Sequence, residues 1–470
     1  MTGNREELIA GIAREVIARL QGAPAAAAPA AGVAVGDGVF ATVDEAVSAA
    51  AEAQPRVAEM TLEARGRIIA IVRRLCADNA REWAQSELDE SGLGRLDHKI
   101  EKLKNVQHVL GVEAMHSELR SDRSGLCIIE HAPWGVIGMI LPATHSVPTM
   151  ASNMINVVAA GNTAVFSPHP AASKIACHAL KVFNREIARE LGVANVFTTV
   201  SAPSIRSAEE VFHHPRIALL CVTGGPAVVR AAAKSGKRVI AAGPGNPPVV
   251  VDETADFDNA AKSIIYGGAY DNNLLCIAEK EVFVVASVFD EMIEAMTKHK
   301  AIRLNADQIA KLTKAAFVSG EGGKLFVNKD LIGQDAGVLA KHAGVSVPAD
   351  TELLFGETDE THPFVDHEQM MPFVPFVRCP DVDVAIALAK KYEHGFKHTA
   401  LIHSRNVDTI TRMGRALDVT IFVQNGPCTA GLGEAYLSFS IATPTGEGVT
   451  TPLTFSRVRR STTMGSMRVV

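Results

Sequence analysis

No stretch of the 470-residue chain approaches 18 uninterrupted apolar residues, and the N-terminus lacks the continuous apolar core and cleavage site of a secretory signal. Neither membrane spanning nor export is therefore expected. No long basic run interrupts a formal net charge of -6, which removes the electrostatic reason to expect nucleic acid or an anionic membrane as a partner. CxxC pairs are missing as well. The cysteines, at positions 76, 127, 177, 221, 276, 379 and 428, are scattered and odd in number, the pattern of reduced thiols in a cytosol-like compartment. Neither an internal repeat nor a full GxGxxG fingerprint occurs. What remains is a chain with 47% hydrophobic residues, long enough for a large core and about three domains, with small molecules as the expected ligands.

Cys276 stands out among the thiols. It follows the polar run Asp271-Asn272-Asn273 and precedes an expected strand over Glu281 to Ala286, a context that points to a nucleophile rather than a small buried hydrophobe. A thiolate there can add to an aldehyde carbonyl and hold the carbon as a thiohemiacetal until hydride leaves, giving a thioester. His362, Asp366, His367 and Glu368 cluster in sequence, but their spacing fits no standard helical metal-ligand motif, so no metal is expected.

The first forty residues differ from the rest. Leu8, Ile9, Ile12, Val16 and Leu20 recur at helical spacing and form one apolar stripe, followed by the Ala/Pro-rich segment from Gly22 to Gly32. This predicts a short amphipathic helix over 1–20 on a linker over 21–37, a helix that needs a partner; folding back onto its own body is the alternative. Acidic Glu6, Glu7 and Glu15 disfavour a mitochondrial transit peptide, and a polar face without Lys/Arg enrichment disfavours a membrane-surface helix.

From about Val39 to Gly243 strand-like and helix-like stretches alternate, the pattern of a doubly wound parallel sheet. Strands are predicted over 135–141, 163–166, 196–200, 217–222 and 239–242, and helices over 149–160 and 173–191. The turn Thr223-Gly224-Gly225-Pro226 runs into a helix-favouring segment, where a pyrophosphate can sit on free backbone N–H groups, although a structural turn would use the same glycines. Beyond Pro244 the alternation resumes, with a helix over 255–265 before the strand that follows Cys276.

Pro133-Trp134-Gly135-Val136, Ala160-Gly161-Asn162-Thr163, Thr223-Gly224, Gly243 to Pro247, Cys276 and His367-Glu368 occur in an order that resembles the aldehyde dehydrogenase superfamily, over roughly residues 38 to 470. The resemblance implies an α/β fold with two doubly wound Rossmann-like domains plus an oligomerisation β-flap. The cofactor-binding domain would span 38–243, with a flap strand near 118–132, the catalytic domain 244–433, and a C-terminal oligomerisation segment 434–470 that pairs with a neighbouring subunit's sheet. NAD is implied as the cofactor, with Ser167, Pro168, His169, Thr223, Gly224, Gly225 and Gly243 around it and Glu368 on the nicotinamide ribose. Thr144, together with the Cys276 N–H, would hold the oxyanion. Walls of the substrate pocket would come from His145, Met150, Leu275, Ile277 and Phe439.

Departures from the hydrolytic pattern matter as much. Where hydrolytic members carry a water-activating glutamate about 35 residues before the cysteine, this chain has Ala241. Without a positioned base, water attack on a thioester loses about 10²- to 10⁴-fold, leaving time for a thiol. Thr144 replaces the oxyanion asparagine, and Ser167-Pro168-His169-Pro170 lacks the lysine expected at the adenosine ribose. These variants, with Ser440 to Gly448, resemble the CoA-acylating branch, nearest the propionaldehyde and acetaldehyde dehydrogenases of bacterial microcompartments. The expectation is then oxidation of a short-chain aldehyde, propionaldehyde first, with coenzyme A as co-substrate, by a homodimer or homotetramer in the bacterial cytoplasm. The helix carrying Leu8, Ile9, Ile12, Val16 and Leu20 would direct it into a microcompartment through a shell protein or cargo partner. A hydrolytic dehydrogenase, a phosphorylating one and a noncatalytic scaffold are the alternatives.

Overall fold

The computed structural model describes residues 33–432 and 437–467. The stripe Leu8, Ile9, Ile12, Val16 and Leu20 and the whole Ala/Pro segment from Gly22 to Gly32 lie outside the described residues.

Two parallel sheets dominate the molecule. In the first, the strands lie in the order Val39–Phe40, Phe197–Val200, Thr163–Ser167, Val136–Ile140, Ile217–Thr223 and Arg238–Ala242. All pairs are parallel. The central strands are apolar runs rather than alternating ones, because helices cover both faces and both faces are buried. Chain order reverses across Val136–Ile140 and its neighbour Ile217–Thr223, which opens a crevice beyond their carboxyl ends, the place where doubly wound sheets receive ligands.

The helix leaving that crevice runs Ser146–Ala159 and is buried along its whole length. It starts three residues before the sequence-predicted Thr149 because Pro148 sits in its first turn, where a missing N–H costs no hydrogen bond. The predicted helix Ser173–Leu191 is present with those bounds and ends on left-handed Gly192.

The second sheet orders seven strands as Ala301–Arg303, Leu353–Thr358, Phe373–Cys379, Glu281–Val285, Pro248–Val251, Thr399–His403 and Ile421–Gln424, again all parallel. Helix Phe257–Ala269 leads into the Cys276 segment, which then feeds Glu281–Val285 at its amino end.

A third sheet is antiparallel: Glu118–Asp122, Gly125–Pro133 and Ser456–Met464. The C-terminal strand Ser456–Met464 joins Gly125–Pro133 of its own chain over nine residues, because the segment after Val449 returns across the first domain. Leu119, Val458 and Met464 on this flap are exposed.

Candidate active site

Cys276 sits partly buried at the wall of a cavity of about 600 Å³. His145, Leu275, Ile277 and Phe439 line it too, together with Lys102, Tyr270 and the stretch Ser438 to Ile441. The sequence therefore anticipated four of this cavity's side chains. Met150 is a correction: its side chain is fully buried in the hydrophobic core of the first domain and does not line the cavity, because Ser146–Ala159 is enclosed on every side and Met150 points into the sheet-helix interior.

Three consecutive residues before the nucleophile adopt left-handed backbone: Asp271 (φ 49°), Asn272 (φ 57°) and Asn273 (φ 64°). Asp and Asn tolerate this region better than other side-chain-bearing residues because their short polar groups bond locally, which explains why the sequence has them here. Each is pinned. Asp271 accepts from the Arg95 N–H at 2.7 Å and pairs with the Lys102 ammonium. Asn272 donates to the Gly333 carbonyl and to Asp335. Asn273 donates to the Gly268 and Glu279 carbonyls, and the buried Lys280 ammonium donates to the Asn273 carbonyl at 2.8 Å and to its side-chain oxygen.

Gly245 meets the same loop from the other side. A Cβ on it would lie 2.3 Å from the Cys276 carbonyl oxygen and 3.1 Å from His398 Cγ, so only glycine permits this approach. Its N–H faces the Glu368 carboxylate, which stands within electrostatic reach of the thiol. Burial first, and then Glu368, push the Cys276 thiol up to about 12, while Lys280 and Lys102 pull the other way. Burial likewise raises Glu368 above the usual carboxylate range. His398, fully buried with Nε2 unpartnered, is pushed down to about 4 by burial and then by Lys280.

Thr144 is placed beside His145 rather than in the cavity wall, and its hydroxyl lies 2.8 Å from His145 Nδ1. Burial, then Lys102 and Lys99 nearby, hold His145 well below its ordinary value, so the ring is neutral. The Thr144 carbonyl accepts from Lys99 at 3.1 Å.

Ala241 is fully buried and its N–H donates to the Thr445 hydroxyl at 3.0 Å. The strand that carries it ends at Ala242, and Gly243 follows against the Pro444 ring. At the crevice, Gly225 caps the helix Pro226–Ala233 with no side-chain hydrogen bond and open space where a Cβ would stand. Free N–H groups at that end, beside a switch point, fit a pyrophosphate. Thr223 at the strand end bonds Ser440, Ser167 and Pro168 are buried beneath the crevice, and His169 is exposed and accepts from the Ala171 N–H.

Among the described residues no group of three or more His, Cys, Asp or Glu is placed to hold a metal ion. His362 instead bonds Thr313 and the Phe364 N–H, and His367 lies 3.2 Å from the Pro363 carbonyl.

Residues 22–437 match the aldehyde dehydrogenase family. This chain belongs to that family. It is 44% identical over 439 residues to the acetaldehyde dehydrogenase (acetylating) EutE of Salmonella typhimurium, covering 92% of this chain and 94% of that one. Two solved structures are similar at 38% identity. A propionaldehyde dehydrogenase from the fucose utilisation bacterial microcompartment of Clostridium phytofermentans superposes with a TM-score of 0.89 over 93% of this chain and 100% of the other. The propionaldehyde dehydrogenase of Rhodopseudomonas palustris, with bound CoA and an acylated cysteine, superposes with a TM-score of 0.88 over 92% and 99%. The α/β architecture of parallel Rossmann-like sheets is thus that of the aldehyde dehydrogenases.

Sequence reading missed Glu87, Lys99, Lys102, Lys280 and His398, and it placed Gly245 only within the Gly243–Pro247 motif. The first three lie on helices whose charges read as a solvated face, and only the Asp-Asn-Asn run hinted that the nucleophile loop needs distant partners.

Proposed function

We propose that this aldehyde dehydrogenase oxidises a short-chain aldehyde with NAD and passes the acyl group to coenzyme A. The observation that carries the reading is the pairing of an enclosed Cys276 with a fully buried, base-free Ala241. The acetylating and CoA-bound relatives support it.

The Cys276 sulfur adds to the aldehyde carbonyl, and the resulting oxyanion is held by the Cys276 N–H and by Thr144, whose hydroxyl is free to donate when neutral His145 carries its proton on Nδ1. NAD, when bound in the crevice at Gly224, Gly225 and Gly243 with Glu368 on its ribose, supplies the hydride acceptor. Loss of hydride leaves the acyl group as a thioester on Cys276. Buried Leu275 and Ile277 keep water from that carbon, and Ala241 offers no base to activate it. Coenzyme A then attacks through its thiol; the acyl–sulfur bond to Cys276 breaks, acyl-CoA leaves and the cysteine is regenerated. The cavity walls Leu275, Ile277 and Phe439 fit a short apolar acyl chain.

The reading extends to placement. The segment with Leu8, Ile9, Ile12, Val16 and Leu20 acts as a docking helix for a microcompartment shell or cargo partner, a role supported by the microcompartment origin of a 38% identical relative. The exposed flap strands suit pairing in a homodimer or homotetramer.

NADH formation from propionaldehyde and NAD, with and without CoA, tests the reading. CoA-dependent propionyl-CoA that disappears in Cys276→Ala is the expected result. Free propionate at an equal rate without CoA would establish hydrolysis instead.

A further inference from the structure

Four charged side chains are buried together between the two loops that meet at the reacting carbon. Lys99 and Glu87 form a 3.0 Å ion pair, and Lys102 pairs with Asp271; none is more than 3% exposed at its side chain. The Lys102–Asp271 pair ties the nucleophile loop to the helix Leu96–Asn105, and the Lys99–Glu87 pair joins that helix to the helix Ala80–Ser91. Lys99 also donates to the Thr144 carbonyl at 3.1 Å, and the other Glu87 oxygen accepts from the Val147 N–H at 3.0 Å, so this half clamps the turn that carries Thr144 and His145. Lys102 holds Asp271, whose N–H donates to His98 at 2.9 Å, and Asp271 opens the left-handed run that ends in Cys276. Lys99 and Lys102 stand three residues apart on one helix and face the same way, as that spacing requires. Lys102 also lines the cavity with Cys276 and His145.

Burying two ion pairs is costly, and replacing them by apolar groups is often neutral or stabilising. Their presence at this point therefore calls for a role other than stability. We propose that Lys102, held by Asp271, is a positioning residue of this active site, fixing the nucleophile loop against the oxyanion turn and keeping a cation close to the Cys276 sulfur. The charged groups around it are Asp271, Lys99 and Glu87, with neutral His145 beside them; those around the thiol are Glu368 and Lys280.

The test uses the full chain carrying K102M/D271N, which removes both charges at once, and Lys102→Arg, which keeps the cation but changes its reach. Alkylation of Cys276 by iodoacetamide at pH 8.5 is followed by mass of its peptide, and kcat and KM for propionaldehyde are measured with NAD and CoA. In the uncharged double variant alkylation slows about tenfold, because the thiolate loses one of its two nearby cations and its loop is no longer fixed beside the other. kcat falls by at least tenfold, with KM for the aldehyde within about twofold. A merely structural role predicts the opposite sign, since loosening the loop exposes the thiol and speeds alkylation. Unchanged or faster alkylation in the double variant overturns the proposal. In Lys102→Arg alkylation stays within about threefold of the natural chain while kcat falls. An unchanged kcat there, or a tenfold loss of alkylation, also overturns it, and this variant decides alone if the double variant has no cooperative melt. The kcat readout rests on the CoA-acylating reading; alkylation needs neither aldehyde nor CoA, so failure of one is distinguishable from failure of the other.

Discussion

The Asn273 side chain donates to the Glu279 carbonyl at 2.9 Å and so closes a bridge across Cys276, three residues from each anchor. Its second donor proton goes to the Gly268 carbonyl at 2.8 Å, tying the nucleophile loop to the end of the helix before it. Lys280, fully buried, spends its ammonium on this one residue.

Asn273→Ala removes three hydrogen bonds, leaves Lys280 short of an acceptor and forces an alanine to φ 64°. A loss of about 3 kcal/mol is expected from the unsatisfied groups and strained backbone. Asn273→Gly relieves the backbone but loses the same side-chain hydrogen bonds, so it should recover only about 1 kcal/mol of that loss. Thermal melts of the two variants side by side check the order.

Gly245→Ala should be strongly damaging for catalysis. The new Cβ would fall 2.3 Å from the Cys276 carbonyl, a backbone atom that cannot swing away, so the nucleophile itself must shift. A displacement of about 1 Å at the reacting group costs on the order of 10² in kcat. Steady-state turnover with folded protein, verified by circular dichroism, measures it; a loss under threefold would show that the loop absorbs the methyl.

Glu279 gives the fold a pH dependence. Burial pushes its carboxyl up to about 7, against which the Cys428 N–H bond is too weak, and one of its oxygens has no partner. Because the folded value lies above the unfolded one, stability is fully present below about pH 4.5 for this group and is lost as pH rises through 7. Relative to Glu279→Gln, the natural chain should lose on the order of 3 kcal/mol between pH 4.5 and pH 8. Melting temperatures of both proteins across that range test it, and parallel curves would sink the assignment.

Met150 and Phe439 should separate stability from substrate recognition. Met150→Ala leaves a void in the first-domain core and is expected to cost about 2–4 kcal/mol with KM for the aldehyde unchanged. Phe439→Ala opens the cavity wall, raising KM for propionaldehyde with little effect on the melt.

The strands and the nucleophile were legible because each announces itself locally. Apolar runs such as Val136–Ile140 mark buried parallel strands, and the cysteine's polar preface marks a strained loop. Glu368 and the Gly243–Pro247 turn were readable only through the family's motif order. Lys102 was not, since Leu96–Asn105 carries five charged residues and reads as a solvated helix; its partner Asp271 is 169 positions away. Met150 misled for the converse reason: a helix enclosed on all sides has no polar face to reveal which way any residue points.

Gly125 stands opposite Met464 in the flap, and Phe439 and Ile441 wall the cavity around Cys276. During synthesis the first sheet and the nucleophile loop emerge long before either of these late segments. The nascent chain therefore carries an unpaired edge on Gly125–Pro133 for most of its time on the ribosome, and an unwalled thiol for a shorter part of it, at about 5–20 residues per second. Edges of that kind invite mispairing between neighbouring nascent chains. Chaperone demand during synthesis should accordingly track the delay before Ser456–Met464 appears, and slowing translation just upstream of it should lower the yield of soluble enzyme.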